Sequence, residues 1–588
     1  MAEQIFVDST VILPDGRYQV DMPFRANNYF EQLEDWLAMA RNRFFNLEKK
    51  LGKNKVHFAE YKSVIEEYLQ LNHAKVIPLE RFNNNLNKYF LPHFAVIREE
   101  SLSTKVRIVF DASGKTTTGL SLNDTMLKGY QVQPNLYDIL LRFRTFKFVL
   151  VGDVEKMFRQ IQINPNHRFL LNILWRNNVG EQLSCIEMQR LTFGTNCAPF
   201  LATRVLKGIA DKNKDNYPIV SLMLTQQTYM DDIIAGCDTI GELNKLNIDL
   251  NTVLNKSGFT LHKVVLNSTE ISKNYQNRAK NSELQDVDLS KEHSNKVLGL
   301  RWNSVSDSLS FVVPVINKTG PITKRKILSL VAQCFDPLGL LTPFIVRGKI
   351  LIQKLWLLKL DWDSEITEPH LLKIWKEFCS DFSELKKINI PRLVFVDKNI
   401  SQIELHAFCD ASETAYAAVV YMRTIYSNET VSSVLITSKS RVAPLSKTTI
   451  PRLELCAISL GTQLVSSLLD IFKNRVLIKE SHIWSDSEIA LYWVNSSSSR
   501  WNVYVGNRVA AIQSIGKNFL WHHVRSNWNP ADLPSRGVAV KELLGASHMW
   551  WHGPPFLSLV NINYEQFRIN FKLQNIPEAK TSYCQLFK

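Results

Sequence analysis

The chain has 588 residues and an ordinary apolar content of 45%, so it is long enough for roughly three to five domains. Its formal net charge of +14 favours a polyanionic partner such as nucleic acid. The eight cysteines include no CxxC pair, which excludes a zinc ribbon and gives no support to a disulfide framework. No signal peptide is seen at the N-terminus, and the apolar run near 350–360 is too short and too interrupted by lysine to span a membrane. The sequence therefore predicts an intracellular protein with no membrane partner.

The first segment with a chemical signature runs from Phe146 to Ile163, FKFVLVGDVEKMFRQIQI. Its nearly continuous apolar start predicts a short strand that is buried on both faces and ends at Gly152-Asp153. Asp153 would then lie where the backbone leaves the sheet, either as a functional acid or as the N-cap of a helix. Phe158 follows five residues later and, without further information, is equally well explained as a core aromatic.

The next segment, QQTYMDDIIAG, places two adjacent aspartates, Asp231 and Asp232, between apolar residues. The pattern predicts a strand, a sharp turn that carries two carboxylates, and a second strand. Aspartate is common in turns, so the pair alone is weak evidence of a site. Carboxylates from more than one segment can bind the two divalent ions of a phosphoryl transfer, and Asp153 is the candidate third acid.

The middle of the chain is predicted to connect two catalytic regions. The sequence SNKVLGLRWNSVSDSLSFVVPV, from Ser294, predicts a hairpin. The following segment predicts helices broken at Asp336-Pro337 and at Thr342-Pro343. The basic TKRK at Thr323 is explained either by a solvated helix start or by contact with a phosphate backbone.

Four acids in the last part of the chain are predicted at strand ends and helix starts. A strand alternates from Ile403 to Cys409, and a helix is predicted from the spacing of Leu453, Ala457 and Leu460. The predicted element order is β-β-β-α-β-α-β-α. The acids are placed at the end of the first strand, in the first helical turn, at a later strand end and on a short terminal helix: Asp410, Glu454, Asp486 and Asp532. Each alone is more often a cap or a surface residue.

The segments VGDVEKMF and YMDD resemble motifs A and C of reverse transcriptases. Four further segments resemble other motifs of this family, and all six occur in the family's order along the chain. These four are KVRIVFDASG from Lys105, LTFGTNCAPF from Leu191, GFTLHKVVLNS from Gly258 and VLGLRW from Val297. The wording of YFLPHFAVIREES, VFDAS, SLND, FDPLGLLTPF and NPADLPSRG is similar to that of the Bel/Pao family of LTR retrotransposon polyproteins. The resemblance extends from about Gly16 to Phe556.

This resemblance implies an α+β multidomain chain. A right-hand polymerase with fingers, palm and thumb/connection would be followed by an α/β ribonuclease H-like domain. The expected domains are a partly helical N-terminal lead-in, fingers and palm, thumb/connection, a ribonuclease H-like domain and a truncated lead-in to a missing integrase region: 1–90, 91–266, 267–399, 400–540 and 541–588.

The resemblance also implies roles for polymerase residues. Asp153, Asp231 and Asp232 would hold two Mg²⁺ ions, with Mn²⁺ as a possible substitute. Arg107 and Lys263 would contact the incoming triphosphate. Gly194 belongs to motif B, which packs against the nascent base pair, and Phe158 would lie beneath the sugar and exclude a 2′-hydroxyl.

In the ribonuclease H-like region, the resemblance implies that Asp410, Glu454, Asp486 and Asp532 bind two Mg²⁺ ions and activate water against the RNA strand. Many ribonucleases H carry a histidine in the loop before the last aspartate, but here that position falls on Asn527 or a neighbour. His522 and His523 are predicted on the preceding strand with structural roles. We therefore expect slow turnover rather than loss of metal binding.

The function implied is an RNA-directed DNA polymerase with ribonuclease H activity. Its partners would be an RNA template, a DNA primer, the RNA–DNA hybrid and dNTPs, in a cytoplasmic retrotransposon particle. No D-[ST]-G motif occurs, and the residues after Asp532 are too few for an integrase core, so we expect the protease and integrase to be absent from this chain. The alternative is a decayed or co-opted element product that binds nucleic acid without catalysis.

Overall fold

The computed structural model describes residues 1–25, 33, 37–78, 89–97, 106–267, 294–316, 319–395, 399–545, 547–568 and 576–580. The chain divides into two compact units. The first comprises Met1–Asn135 and Val149–Leu266, and the second comprises Leu136–Phe148 and Asn267–Lys588. Lys105 lies outside the described residues, as do residues 268–293, including Ser268, of the thumb/connection predicted over 267–399.

The described α-helices are numbered in chain order. They are α1 (Ala2–Ser9), α2 (Leu37–Leu51), α3 (Lys55–Gln70), α4 (Leu122–Thr125), α5 (Leu136–Phe143), α6 (Met157–Gln160), α7 (Ala198–Lys212), α8 (Pro218–Gln226), α9 (Ile240–Asn255), α10 (Lys324–Gln333), α11 (Thr342–Leu357), α12 (Pro369–Ser380), α13 (Ile450–Phe472), α14 (Glu488–Asn495), α15 (Val503–Ile515), α16 (Asp532–Arg536), α17 (Val540–Gly545) and α18 (Ser547–His552). Short 3₁₀ helices add single turns at Pro165–Leu170, Asp381–Lys387, Ser498–Arg500, Ser526–Trp528, Pro555–Ser558 and Tyr564–Phe567.

The described strands are numbered in the same way. They are β1 (Val11–Ile12), β2 (Tyr18–Val20), β3 (Ala74–Ile77), β4 (His93–Ile97), β5 (Val106–Phe110), β6 (Phe148–Val154), β7 (Gln162–Ile163), β8 (Asn172–Trp175), β9 (Ser184–Met188), β10 (Thr228–Tyr229), β11 (Asp232–Cys237), β12 (Leu261–Leu266), β13 (Ser294–Val297), β14 (Leu300–Asn303), β15 (Ser308–Ser310), β16 (Ile390–Pro391), β17 (Ile400–Ala411), β18 (Ala415–Tyr426), β19 (Val431–Val442), β20 (Glu480–Ser485) and β21 (Leu520–His523).

The first unit is organised around a four-stranded sheet of order β10-β11-β6-β12. Strand β6 is central because its apolar run is buried from Val149 to Gly152, as the sequence predicted. The strand continues to Val154, so Asp153 lies one residue before the end of the strand and not at the end. Smaller sheets of order β1-β2-β7, β3-β9-β8 and β4-β5 complete the unit.

The second unit is built on a five-stranded sheet of order β19-β18-β17-β20-β21. Strands β17, β18 and β19 are antiparallel, whereas β20 and β21 run parallel to β17. Helix α13 packs across β17 and β18, with its predicted apolar stripe buried. The predicted order is incomplete, since α15 is an additional helix between α14 and β21.

Helix α13 is also, among the described residues, the one helix long and apolar enough to cross a membrane. Its most apolar window is 61% buried inside the protein. Its length and composition are therefore those of the core helix against which the central sheet packs, and they are weak evidence of a membrane span.

The connecting region confirms the predicted hairpin, because β13 and β14 pair antiparallel and β15 extends the sheet. The break at Asp336-Pro337 is confirmed, since α10 ends at Gln333. The second expected break is wrong: Pro343 lies in the first turn of α11, where proline starts a helix. Thr323 caps α10, and Arg325 pairs with Asp363, so TKRK is a helix start.

Candidate active sites

The two aspartates of the first unit lie on a tight hairpin, as predicted. Strands β10 and β11 pair Thr228 with Ile233 and Tyr229 with Asp232, so Met230 and Asp231 form a two-residue turn. Such turns require positive φ in the turn, and Met230 has φ of 53°. Asp231 is exposed at the tip, and Asp232 is half-buried at the start of β11.

The neighbouring strand brings Asp153 to the same edge of the sheet. Strand β6 lies beside β11, and the Val154 N–H donates to the Asp231 carbonyl oxygen at 2.8 Å. The alternative role of Asp153 as a helix N-cap is wrong, because Lys156 is the N-cap of α6. The structure therefore places Asp153 on β6, Asp232 on the adjacent strand β11, and Asp231 on the turn between β10 and β11.

The three carboxylates repel one another and favour a bound cation. Burial, followed by the charges of Asp231 and Asp153, raises the pKa of Asp232 to about 7. Burial and then Asp231 also raise the pKa of Asp153, while the Lys263 ammonium opposes this shift. Oxygen ligands of this kind suit Mg²⁺ or Mn²⁺, and an ion there would relieve the repulsion.

Lys263 lies in an irregular part of β12, opposite the strand that carries Asp153. His262 pairs with Asp153, the register shifts before Val265, and Lys263 has φ of 51°. The Lys263 ammonium lowers the pKa of the Asp153 carboxyl group, against the larger effect of burial. Arg107 lies elsewhere, on β5, exposed and opposite Val96 in the β4–β5 hairpin.

Phe158 is buried on α6 and packs against Phe193, with ring centroids 4.6 Å apart. Gly194 follows Phe193 with φ of 96°, and a Cβ there would lie 2.0 Å from the Phe110 carbonyl oxygen. Glycine is therefore required at this position, because the loop of Gly194 approaches the end of β5 directly. The structure thus brings Phe158 close to the Gly194 loop through its contact with Phe193.

Sequence reasoning missed Asn123, which holds this glycine loop. Its Nδ2 donates to the Gly194 carbonyl oxygen at 3.0 Å, and its Oδ1 accepts from the Asn196 N–H at 2.7 Å. Asn123 lies in the segment SLND, which was recognised only by its similarity to the Bel/Pao family and was given no role. Asparagine both donates and accepts and so suits the bracing of a loop, but the residue type alone does not distinguish Asn123 from an exposed asparagine.

The second unit brings three of its four candidate acids together. Ligand oxygens of Asp410, Glu454 and Asp486 all lie within 4.8 Å of one another. Asp410 is one residue before the end of β17, and Asp486 directly follows β20. Glu454 lies on α13, just past the first turn and not within it. Two adjacent strands and a packed helix thus supply the cluster.

The chemistry of this cluster fits a divalent cation. Glu454 Oε1 accepts from the Ala411 N–H at 3.1 Å, while Oε2 is buried without a hydrogen-bond partner. Burial, then Asp410 and Asp486, raises the pKa of Glu454 to about 9, and burial raises the pKa of Asp410 to about 7. An orphaned buried carboxylate oxygen beside two further acids is a ready metal ligand.

Asp532 is the fourth candidate and lies outside this close group. It begins α16, is 36% exposed, and pairs with Arg536 at 2.5 Å. Its charge nevertheless raises the pKa of both Asp410 and Glu454. Asn529, which sequence reasoning missed, donates to the Cys409 carbonyl oxygen and accepts from the Ala531 N–H, and so ties the start of α16 to β17.

The histidines before Asp532 belong to the strand, as expected. His522 is buried in β21, where it stacks on Trp484 at 4.4 Å and its Nε2 lies 3.0 Å from His482 Nδ1. The loop that follows exposes Asn527. His522 therefore has a structural role, and no histidine occurs in that loop.

A second group of potential metal ligands, Glu404, His406 and His482, lies buried in the same sheet. Glu404 pairs with Arg423 at 2.7 Å, and both ring nitrogens of His406 have partners, in Glu404 and Trp484. The His406 and His482 rings stack almost parallel, 6° apart with centroids at 4.5 Å, so their in-plane lone pairs do not converge. This group is a stacked core and not a metal site.

Comparisons with known proteins agree with this geometry. Residues 110–299 match the family model described as reverse transcriptase (RNA-dependent DNA polymerase), and residues 323–487 match the Pao retrotransposon-like RNaseH-like domain. The polymerase acids lie within the first match. Asp410, Glu454 and Asp486 lie within the second, whereas Arg107 and Asp532 lie beyond both. Among curated proteins, no sequence matches.

Solved structures with a similar fold include two of the foamy viral protease-reverse transcriptase. The form named dRH, in complex with double-stranded DNA, is 14% identical with a TM-score of 0.50 over 80% of this chain and 69% of that chain. The complex with an RNA/DNA hybrid is 15% identical with a TM-score of 0.50 over 80% of this chain and 54% of that one. These likenesses, with the two family matches, confirm the predicted fold class.

Proposed function

We propose that this chain, which carries a reverse transcriptase domain and the ribonuclease H-like domain of Pao retrotransposons, is catalytically active in both. The first unit would copy RNA into DNA, and the second would cleave the RNA strand of the resulting hybrid. The observation that carries the proposal is the presence in each unit of a carboxylate cluster that includes an acid of raised pKa. Such clusters are costly without a cation and typical of two-metal phosphoryl transfer.

In the first unit, Asp153, Asp231 and Asp232 would hold the ions. Mg²⁺ held by these carboxylates would supply a lowered pKa for the primer 3′-hydroxyl and charge neutralisation at the departing pyrophosphate. Arg107 offers a planar fork and Lys263 a mobile point charge for the triphosphate of the dNTP. Phe158, supported by Phe193, would lie beneath the deoxyribose and exclude a 2′-hydroxyl.

In the second unit, Asp410, Glu454 and Asp486 would form the core of the metal site. Asp532 would join them from α16, released from Arg536 when the substrate and ions bind. The Ser535 hydroxyl donates to Asp410 and so fixes the orientation of that carboxylate. Together these acids would orient the water that attacks the scissile phosphate of the RNA strand.

The substrates proposed are an RNA template, a DNA primer, dNTPs and the RNA–DNA hybrid. The net charge of +14 supports a polyanionic partner, and one of the structures of similar fold was solved with an RNA/DNA hybrid. Phosphate contacts would supply most of the affinity, so we expect hybrid binding to weaken as salt rises.

The proposal is tested by giving the full chain a labelled RNA template with a DNA primer, dNTPs and Mg²⁺. We expect primer extension and cleavage of the RNA strand, both abolished by EDTA, with hybrid binding measured in parallel at several salt concentrations. Salt-sensitive hybrid binding with neither reaction in Mg²⁺ or Mn²⁺ would overturn the proposal in favour of a nucleic-acid-binding element product.

A further inference from the structure

We propose that Gln133 is a positioning residue for the polymerase site, and that its side-chain oxygen holds the turn that presents Asp231 and Asp232. The inference rests on the proposed function of that turn. Gln133 lies 97 residues before Met230, and its Oε1 accepts the Met230 N–H at 2.7 Å. Gln133 was not among the residues to which the sequence patterns assigned a role.

The turn needs external support for a conformational reason. Met230 occupies a left-handed backbone conformation, with φ of 53°, which is unfavourable for a residue with a side chain. In a two-residue hairpin, the first turn residue has no partner for its N–H in the strand ladder. Gln133 supplies that partner and so stabilises the conformation that the carboxylates require.

The turn also needs support for an electrostatic reason. Asp153 and Asp232 lie on adjacent strands and Asp231 lies on the turn before Asp232, so the three carboxylates repel one another before ions bind. Two hydrogen bonds oppose their separation. Val154 holds the Asp231 carbonyl oxygen from the side of β6, and Gln133 holds the Met230 N–H from another segment. Losing either bond would weaken the attachment of the turn to the segments outside the β10–β11 hairpin.

The surroundings of Gln133 favour an amide at this position. The side chain is half-buried and, with Thr225 and Met230, lines a cavity of about 170 Å³ behind the turn. Gln131 donates to the Gln133 carbonyl oxygen at 3.3 Å, and Pro134 fixes the next backbone φ. The amide oxygen accepts a hydrogen bond without adding a negative charge beside three carboxylates.

Two substitutions separate positioning from packing. Gln133→Met keeps the length of the side chain but removes the amide oxygen, whereas Gln133→Glu keeps an acceptor. If Gln133 positions the turn, Gln133→Met lowers kcat for primer extension about tenfold and raises the Mg²⁺ concentration for half-maximal rate about tenfold. Gln133→Glu should retain activity within about threefold, and the KM for dNTP should be unchanged in both.

A packing role predicts the reverse order, with methionine tolerated and a half-buried glutamate not. Thr225→Val is the matched control, because Thr225 lines the same cavity but its hydroxyl bonds within its own helix, to Ser221. It should behave as the wild type. If Gln133→Met fails to fold, Gln133→Asn replaces it, since its shorter side chain does not reach the Met230 N–H.

A readout that does not depend on turnover keeps the inference distinct from the proposed function. Mn²⁺ binding to the full chain is followed by electron paramagnetic resonance, and the sites lost in Asp231→Asn define the polymerase site. Gln133→Met should weaken those sites about tenfold, and Gln133→Glu should not. If the two variants bind Mn²⁺ in this way but the chain makes no DNA, only the proposed function is contradicted. Wild-type Mn²⁺ binding and extension in Gln133→Met would overturn the inference.

Discussion

Burial strongly affects the protonation of Glu454. It is buried, its Oε2 has no partner, and its pKa is raised to about 9 by burial and by Asp410 and Asp486. Between its ordinary pKa and the raised value, the folded state binds more protons than the unfolded state. The free energy of unfolding of the metal-free protein therefore contains a contribution that is lost as pH rises through this window.

We expect metal-free protein to lose about 3–4 kcal/mol of stability in its second unit between about pH 6 and about pH 9. Mg²⁺ should restore more of that stability at higher pH, because it replaces the protons on the carboxylates. Denaturant unfolding in EDTA at several pH values measures this. Glu454→Gln cannot titrate and should flatten the dependence; an equal slope in the variant would show that other groups cause it.

Phe158 tests the assignment of the sugar-binding face. Phe158→Val removes a ring while Phe193 remains, so space opens where a 2′-hydroxyl would lie. The efficiency of ribonucleotide insertion relative to deoxynucleotide should rise about tenfold, in line with the discrimination that one small group provides. Single-nucleotide insertion kinetics with matched ribo- and deoxynucleotides measure the ratio. An unchanged ratio would leave Phe158 as a core aromatic.

At the residue scale, the sequence predicted acids better than the amides that position loops. Asp153, Asp231 and Asp232 were found because charge at the end of an apolar run is visible locally. Asn123, Gln133 and Asn529 were missed because each acts through a hydrogen bond to a distant residue, such as Gly194, Met230 or Cys409. Nothing local distinguishes such an amide from one exposed to solvent.

At the element scale, the turn between α10 and α11 anchors a helical segment to the central sheet of the second unit. Leu338 accepts hydrogen bonds from Thr437 and Ser438 on β19, and Gly339 approaches the same strand. Gly339 has φ of 73°, and a Cβ there would lie 1.8 Å from the Ser438 carbonyl oxygen. The glycine of the segment FDPLGLLTPF, which is similar to the Bel/Pao family, is therefore explained by its close packing against β19.

We therefore expect Gly339→Ala to destabilise the second unit by about 2–4 kcal/mol, since both backbone strain and a steric clash oppose it. Denaturant unfolding followed by tryptophan fluorescence measures the change. Gly545→Ala is the matched control, because no atom lies within 4 Å of its Cβ position. Equal stabilities of the two variants would contradict the close approach.

The loop before α16 sets a second expectation at this scale. It exposes Asn527 and contains no histidine. By family resemblance, a histidine in this loop would assist release of product and metal. Hybrid cleavage should therefore be faster in a single turnover than at steady state. Asn527→His should raise the steady-state rate and leave the single-turnover rate unchanged, as quench-flow and multiple-turnover assays would show. Equal rates in the wild type would contradict a release-limited reaction.

Periodicity predicted the regular elements and failed where a loop intervened. Helix α13 and strand β6 followed from the spacing and continuity of their apolar residues. Helix α15 was missed, although Val505, Val509 and Ile512 are buried at helical spacing. The serine-rich loop between α14 and α15 interrupts the apolar pattern of the sequence. The sequence therefore predicted only the first of these two helices.

At the scale of the whole molecule, the two candidate sites fall in different compact units. The polymerase acids all lie in the first unit, and the ribonuclease H acids all lie in the second. The sequence predicted this separation from the distance between the motifs along the chain. It did not show that residues 136–148 belong with the second unit, because that membership depends on contacts that form only in the fold.

The central claim is that these are two independent two-metal sites, and one crossed experiment tests it most directly. Primer extension and hybrid cleavage are measured on the same preparations of wild type, Asp231→Asn and Asp486→Asn, with hybrid binding as the folding control. Each substitution removes a carboxylate that we propose binds metal, but leaves phosphate contacts in place. We predict that Asp231→Asn abolishes extension and spares cleavage, and that Asp486→Asn does the opposite. Undiminished extension by Asp231→Asn, or undiminished cleavage by Asp486→Asn, would contradict it.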